Sequence, residues 1–227
     1  ASEDGSIDCI DLEKFPVRMT DEDVLISTVY KASHEDQITA ISVYTRLQYQ
    51  QKSNVGYWLE LAYGTSSGSI YVIGHHPETA ASQLRVFYRL YVHSMPIQKI
   101  VLGEKYLISV CDCNNHIRTW SLSRFRDMLN TQPGPTPISS FTIPNNRTFS
   151  DRELGLGRSK GPYISADGQG FFVENLMPDD TQIRLRSVVT GDVLATLNSA
   201  DDSVITSYNI NSCDILCPTN SMHSLYF

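Results

Sequence analysis

One motif recurs along the chain and constrains its fold more than any other feature. Each copy is a tight turn followed by a short apolar strand with a bulky residue near its end. The clearest copy is Asn114-Asn115-His116-Ile117-Arg118-Thr119-Trp120-Ser121-Leu122. Apolar residues that alternate over a few positions between turn residues are typical of strands. The motif therefore predicts a repeated β unit, with copies at residues 4–12, 67–73, 114–122 and 181–188.

The spacing of the motif predicts the architecture. The central isoleucines Ile7, Ile70, Ile117 and Ile183 are 63, 47 and 66 residues apart. A WD-type propeller blade takes about 40–45 residues, and its third strand follows a tight turn. The middle interval fits one blade, and we expect loop insertions at 46–56 and 144–170 in the longer ones. The sequence predicts an all-β fold and one WD-type β-propeller region over 1–227. Because the first copy has no strands before it, we expect a partial propeller of about three to four four-stranded antiparallel blades.

One blade is expected to be nearly regular. The segment 85–92 should be the outer strand of the preceding blade. The Pro-rich stretch 133–137 should be a corner that leads into the last strand of the regular blade. Two connections, 44–52 and 122–130, are expected to hold at most a turn or two of helix. The four strands of the regular blade are predicted at 97–102, 106–111, 117–122 and 138–143.

Composition excludes several classes of protein. Of the 227 residues, 41% are apolar and 19% charged, and no apolar run is long enough for a membrane helix. The net charge is −7, and residues 1–36 carry an acidic excess of the same size. Because phosphate contacts require a basic surface, we expect no nucleic-acid partner. We also expect no membrane insertion, and no signal peptide is evident at the N-terminus.

The cysteines indicate a reduced protein without a metal centre. Five cysteines at irregular spacing do not form a disulfide framework, which favours a cytoplasmic location. Cys9, Cys111 and Cys113 lie in apolar strand patterns and are expected to be buried. Cys111 and Cys113, with His116 nearby, and the pair Cys213 and Cys217 are candidate zinc ligands. Since only the second pair has the usual zinc spacing, we expect neither a metal nor a cofactor.

No catalytic motif is present. The histidines show no metalloprotease spacing, and neither a nucleophile elbow nor a phosphate loop occurs. We therefore expect a protein that is not an enzyme. The alternative is a propeller-fold enzyme with a polar central-channel site, for which Asp112, His116 and Asp167 are the candidates.

Basic residues around Trp120 are the candidate protein-interaction site. Arginine binds carboxylates and phosphates in a bidentate manner, and aromatic residues often anchor interfaces. This combination predicts a surface for an acidic or phosphorylated peptide, although such clusters are often only a solvated edge. The candidate residues are His116, Arg118, Trp120, Arg124 and Arg126.

Several long phrases resemble one known family. They lie at 11–16, 62–68, 76–79, 114–120, 123–126 and 131–134. The chain resembles the WD-repeat branch of the potassium-channel-tetramerisation-domain (BTB/POZ) proteins, which includes the Src-homology-3 adaptor-binding member. The resemblance extends from about Gly5 to Asn209. It implies a cytoplasmic, non-enzymatic scaffold with protein partners, either an ion channel whose surface expression it affects or a signalling adaptor in receptor trafficking.

The chain also departs from that family in ways that limit what the resemblance implies. Family members carry an N-terminal BTB domain that self-associates, and this sequence contains none. A homo-oligomer is therefore expected only if such a domain lies upstream. The family's adaptor-binding P-x-x-x-P-R motif is missing, because Ile138 follows Pro137. The segment 144–170 also lacks the acidic Gly-Pro-rich stretch usual in the family.

Overall fold

The chain is described here by a computed structural model. The described residues are 1, 4–10, 26–33, 36–44, 59–75, 84–111, 116–125, 128–129, 137–143, 163–164, 170–174, 180–205, 209–213 and 222–226.

The described residues form strands joined by turns. They contain no helix long and apolar enough to cross a membrane. In chain order the strands are β1 (Ser6–Ile10), β2 (Ile26–Lys31), β3 (Ile38–Tyr44), β4 (Glu60–Thr65), β5 (Ser69–His75), β6 (Leu84–Tyr91), β7 (Ile97–Leu102), β8 (Tyr106–Cys111), β9 (His116–Ser121), β10 (Arg124–Phe125), β11 (Met128–Leu129), β12 (Ser139–Thr142), β13 (Tyr163–Ile164), β14 (Phe171–Val173), β15 (Gln182–Ser187), β16 (Val193–Asn198), β17 (Asn209–Cys213) and β18 (Met222–Tyr226).

Among the described residues, three sheets have four antiparallel strands each, and we call them the first, second and third blades. Their strand orders are β3-β4-β5-β6, β12-β9-β8-β7 and β13-β14-β15-β16. Strands β1 and β2, β10 and β11, and β17 and β18 form two-stranded sheets. Three copies of the motif that predicts a third strand form β5, β9 and β15. Each of them is the third strand of its blade in chain order. The prediction of an all-β, WD-type propeller region is confirmed.

The second blade has the predicted strands. Strands β7, β8 and β9 form a meander, and β12 pairs with β9 in a register that sets Phe141 opposite Ile117. The predicted outer strand of the preceding blade is β6, which pairs with β5 and completes the first blade.

The prediction of helix at 122–130 is wrong. Strands β10 and β11 form a short hairpin there, in which Arg124 pairs with Leu129. The buried carboxylate of Glu60 accepts a hydrogen bond from the backbone N–H of Leu129 at 3.3 Å. The segment is thus fixed by a contact with β4 rather than by a helical periodicity of its own.

The other predicted connections lie largely outside the described residues. This holds for the insertion at 46–56 and, apart from Tyr44, for the candidate helix at 44–52. Within the predicted insertion at 144–170, residues 163–164 form β13, which pairs with β14.

The chain divides into two compact units. The first unit comprises Ala1–Asn146, Ser165–Gly170 and Val188–Gly191, and so contains the first and second blades. The second comprises Arg147–Ile164, Phe171–Ser187 and Asp192–Phe227, and contains the third blade.

The core of the first unit lies where the first and second blades pack against each other. Every residue of β4 is buried, because both of its faces are covered. Two hydrogen bonds also join the blades. The Thr39 hydroxyl donates to the Ile97 carbonyl at 2.7 Å, and the Leu102 N–H donates to Ser42 Oγ at 2.9 Å. The buried core residues are Ala62, Ile70, Val72, Tyr88, Leu90, Ile97, Ile100, Leu102, Leu107, Trp120, Leu122 and Leu129.

The opposite face of the first blade packs against β1 and β2 through stacked tyrosines. The rings of Tyr63 and Tyr71 are parallel, with centroids 4.9 Å apart, and Tyr30 of β2 packs on Tyr63 at 5.9 Å. The Arg89 guanidinium continues the stack, 5.2 Å from Tyr71 and 4.5 Å from the exposed ring of Tyr91. The first blade is therefore covered on both faces.

The second unit has its own small core. Phe171, Val173, Ile183 and Leu185 of β14 and β15 are buried together. Beside them, Arg186 Nε donates to Glu174 Oε2 at 2.9 Å, with both side chains mostly buried.

The turn between β4 and β5 depends on Gly68. Its φ of +82° is in the left-handed region that favours glycine. A Cβ at this position would also collide with the His93 carbonyl oxygen. The Gly68 carbonyl accepts a hydrogen bond from the His93 N–H at 3.1 Å, so the turn also positions the connection between β6 and β7.

We predict that Gly68→Ala destabilises the fold by about 1–3 kcal/mol, because the left-handed backbone and the collision both oppose a side chain. Urea denaturation measures the free energy of unfolding. The control is Gly170→Ala, since no atom lies within 4 Å of a Cβ there. Equal effects of the two substitutions would contradict this account of the turn.

Candidate functional site

Strands β8 and β9 place a row of polar side chains on one face of the second blade. Cys111 pairs with His116, and Ser109 with Arg118. Since alternate residues of a strand share a face, and directly paired residues do too, all four lie on the same face. The Leu107–Trp120 pair continues this face into the core.

His93 approaches this row from the connection between β6 and β7. Its Nε2 lies 2.8 Å from Ser109 Oγ. Its ring meets the ring of His116 edge-on, with centroids 5.6 Å apart and an interplanar angle of 89°. His116 is held in turn by Ser140 of β12, with His116 Nε2 2.8 Å from Ser140 Oγ.

Three of these side chains have the chemistry of metal ligands. One ligand atom from each of His93, Cys111 and His116 lies within 4.8 Å of the others. Cys111 is buried, and both histidines are half-buried. We call these three residues the His-Cys-His cluster.

Both imidazoles of the cluster are neutral at pH 7. Burial lowers the pKa of His93 to about 4, and the nearby Arg118 charge and His116 add smaller effects in the same direction. Burial, followed by the charge of Arg118, also lowers the pKa of His116.

Two buried nitrogens near the cluster lack hydrogen-bond partners. Neither His93 Nδ1 nor Arg118 Nε is bonded to any group in the described part of the chain. A buried donor or acceptor without a partner is costly and marks a position of interest for function.

The sequence-predicted interaction residues fall in different environments. His116 and Arg118 are half-buried, whereas Trp120 is only 2% exposed and packs in the core. The backbone of Arg124 is in β10, and Arg126 lies outside the described residues. The structure thus brings His116 and Arg118 together and places Trp120 beneath the surface.

The cysteine predictions and the enzyme alternative have mixed outcomes. Cys111 is buried, as expected, but the prediction that Cys9 is buried is wrong, because it lies in the exposed half of β1. Cys113 lies outside the described residues, as do Asp112 and Asp167 of the alternative enzyme site.

Sequence reasoning did not single out His93. It lies 16 residues before Ser109 and belongs to no motif. The sequence signal that could have found His93 is its position between the last strand of one blade, β6, and the first strand of the next, β7. The second strand of that next blade, β8, carries the serine that His93 contacts.

Comparison with known proteins identifies the family. The chain belongs to the SHKBP1/KCTD3 C-terminal beta-propeller family, whose model matches residues 1–225. This result confirms the family resemblance described above.

Two curated relatives and one solved structure illustrate the similarity. SH3KBP1-binding protein 1 of Rattus norvegicus is 44% identical over 213 residues, which cover 92% of this chain and 30% of the relative. BTB/POZ domain-containing protein KCTD3 of Homo sapiens is 41% identical over 211 residues, covering 92% of this chain and 26% of the relative. The Cps50 (Swd1) beta-propeller domain of Myceliophteria thermophila matches 72% of this chain and 44% of its own, with 18% identity and a TM-score of 0.44. The chain spans about 30% of the length of the SH3KBP1-binding protein 1 relatives that it matches.

We predict that stability falls as the pH drops from 6.5 to about 4, which are the pKa values of His93 in the unfolded and the folded chain. In this window the unfolded chain binds a proton that the folded chain excludes, and above 6.5 the effect vanishes. Urea denaturation across the window measures it, and His93→Gln should reduce the slope of stability against pH. An NMR titration of the imidazole that gave an unshifted pKa for His93 would contradict this prediction.

We predict that Trp120→Ala costs about 3–5 kcal/mol of stability, because it removes a large side chain from a packed core. Tyr91→Ala is the matched aromatic control, since Tyr91 is 70% exposed, and it should cost less than about 1 kcal/mol. Similar losses for both variants, measured by denaturation, would show that Trp120 is not a core residue.

Proposed function

We propose that this chain is a non-enzymatic protein-interaction scaffold. The observation that carries the proposal is its membership of a propeller family over residues 1–225. One relative is named for binding a protein, SH3KBP1. Propeller folds present loops and sheet edges from a rigid framework, an arrangement suited to recognition.

The proposed partners are a signalling adaptor of the SH3KBP1 kind or an ion channel, in complexes that control receptor trafficking or channel surface expression. The family resemblance supports these partner classes, and we place the protein in the cytoplasm on the same basis. SH3KBP1 is the first partner to test, because the name of a 44%-identical relative states that interaction.

The proposed contact surface is the basic segment that begins on β9, with Arg118, Arg124 and Arg126. Arg118 is half-buried, so part of its side chain is open to a partner. Guanidinium groups bind carboxylates and phosphates strongly. We therefore expect an acidic or phosphorylated segment of the partner to bind here. Trp120 would contribute from the core by holding β9 in place.

We predict that the double variant Arg124→Glu, Arg126→Glu weakens binding to SH3KBP1 by about fivefold or more, because hot-spot substitutions cost over 1 kcal/mol. Biolayer interferometry with purified proteins measures the affinity. Arg85→Glu is the matched control, since Arg85 is an exposed arginine of β6 and lies outside this segment of the sequence. The same assay with cytoplasmic segments of a hyperpolarisation-activated cation channel tests the channel alternative.

The outcomes test the scaffold function and the proposed contact surface separately. If the protein binds neither partner, the partner classes are wrong. If it binds and the double variant weakens binding no more than Arg85→Glu, the scaffold function stands and the assignment of the basic segment fails.

A further inference from the structure

We propose that the His-Cys-His cluster of His93, Cys111 and His116 is a binding site for a thiophilic transition-metal ion, with Zn²⁺ as the ion to test. The inference is independent of the proposed scaffold function, because it concerns metal binding by these three side chains and not the binding of a partner protein.

The donor set suits zinc. One sulfur and two imidazole nitrogens match the ligands that Zn²⁺ takes, at about 2.3 Å and 2.0–2.1 Å from the ion. Ligand atoms around one tetrahedral ion stand roughly 3–4 Å apart. Those of the cluster already lie within 4.8 Å of one another. To bind one ion, these atoms would therefore have to approach one another by about 1 Å.

The histidines are oriented as metal-binding histidines usually are. A metal-bound imidazole uses one nitrogen for the ion and the other for a hydrogen bond that fixes the ring. Here Nε2 of His93 is 2.8 Å from Ser109 Oγ, and Nε2 of His116 is 2.8 Å from Ser140 Oγ. Each ring thus keeps Nδ1 for another role.

The Nδ1 atom of His93 points to an ion independently of the donor set. His93 Nδ1 is buried and has no hydrogen-bond partner in the described part of the chain. Buried polar atoms without partners are rare in folded proteins, and an absent ion is one of their recognised explanations. A metal bound to this atom would satisfy it.

The local charges permit a cation. A Cys111 thiolate and two neutral imidazoles would leave bound Zn²⁺ with a net charge of about +1. The Arg118 guanidinium opposes the ion but favours the thiolate, so its two effects partly cancel. With three protein ligands, a fourth position stays open to water or to a group from outside.

Binding would connect parts of the first unit that are distant in sequence. His93 belongs to the connection after β6, Cys111 ends β8 and His116 begins β9. A metal joining them would tie the end of the first blade to the second blade and raise the stability of the unit by mass action.

The test is a titration of the reduced, metal-free protein with Co²⁺, a spectroscopic substitute for Zn²⁺. We expect one equivalent to produce a thiolate-to-cobalt charge-transfer band in the near ultraviolet. Competition against a chromophoric chelator then gives the Zn²⁺ affinity. Cys111→Ser should abolish the band, and His93→Gln should weaken Zn²⁺ binding at least tenfold.

Two further variants distinguish metal binding by the His-Cys-His cluster from metal binding by an unrelated cysteine. Cys9→Ser is the matched control, because Cys9 is an exposed thiol on β1, and it should leave both readouts unchanged. Ser140→Ala removes only the hydrogen bond to His116 and should weaken Zn²⁺ binding by about 10–100-fold.

A band that survives Cys111→Ser, or no band at all in the unsubstituted protein, would overturn the proposal. X-ray absorption of the unsubstituted zinc-loaded protein keeps the test valid if a variant does not fold. One sulfur and two imidazole ligands would support the site, and an all-oxygen shell would refute it.

Discussion

The structure depends on covering both faces of sheets whose inner strands are apolar on both sides. Strands β4 and β8 are buried along almost their whole length, so neither blade of the first unit is stable as a single exposed sheet. The first blade is covered on one face by β1 and β2, through the stacked tyrosines, and on the other by the second blade. The same packing brings His93, at the end of the first blade, against Ser109 of the second. The candidate site is therefore a product of blade packing, not of any single strand.

Local sequence located most of the strands, because the strands within each blade pair in the order in which they occur along the chain. The turn-and-strand motif located β5, β9 and β15, and the apolar runs around it located their partners. The hairpin at 122–130 was not predictable in this way. Its strands have two residues each, and a buried carboxylate of β4 helps to hold it. The burial of Trp120 was not predictable either, because its position in β9 does not reveal that the first blade covers this face of the second blade.

Local sequence was not sufficient for the site, because its residues come together only through packing. Cys111 and His116 were noticed as near neighbours, but His93 reaches them across the blade junction. The low pKa of His93 arises mainly from that burial, and no sequence pattern reports it. Arg118 was noticed as a basic surface residue. In the structure it also contributes to keeping two imidazoles neutral, so it belongs to the electrostatics of the cluster as well as to the proposed contact surface.

Strand β12 is separated along the chain from its partner β9, and this separation affects how the second blade folds. Strands β7, β8 and β9 are separated by only a few residues each, whereas β12 pairs with β9 only after the chain has passed through the β10–β11 hairpin. Closing a longer loop costs more chain entropy, and contacts distant in sequence form more slowly. The sequence Ser-Ser-Phe-Thr of β12 offers one large apolar side chain to offset that cost. The blade should therefore assemble as a three-stranded sheet with an open edge, to which β12 is added last. During synthesis and refolding, that edge is where mispairing with another strand would begin.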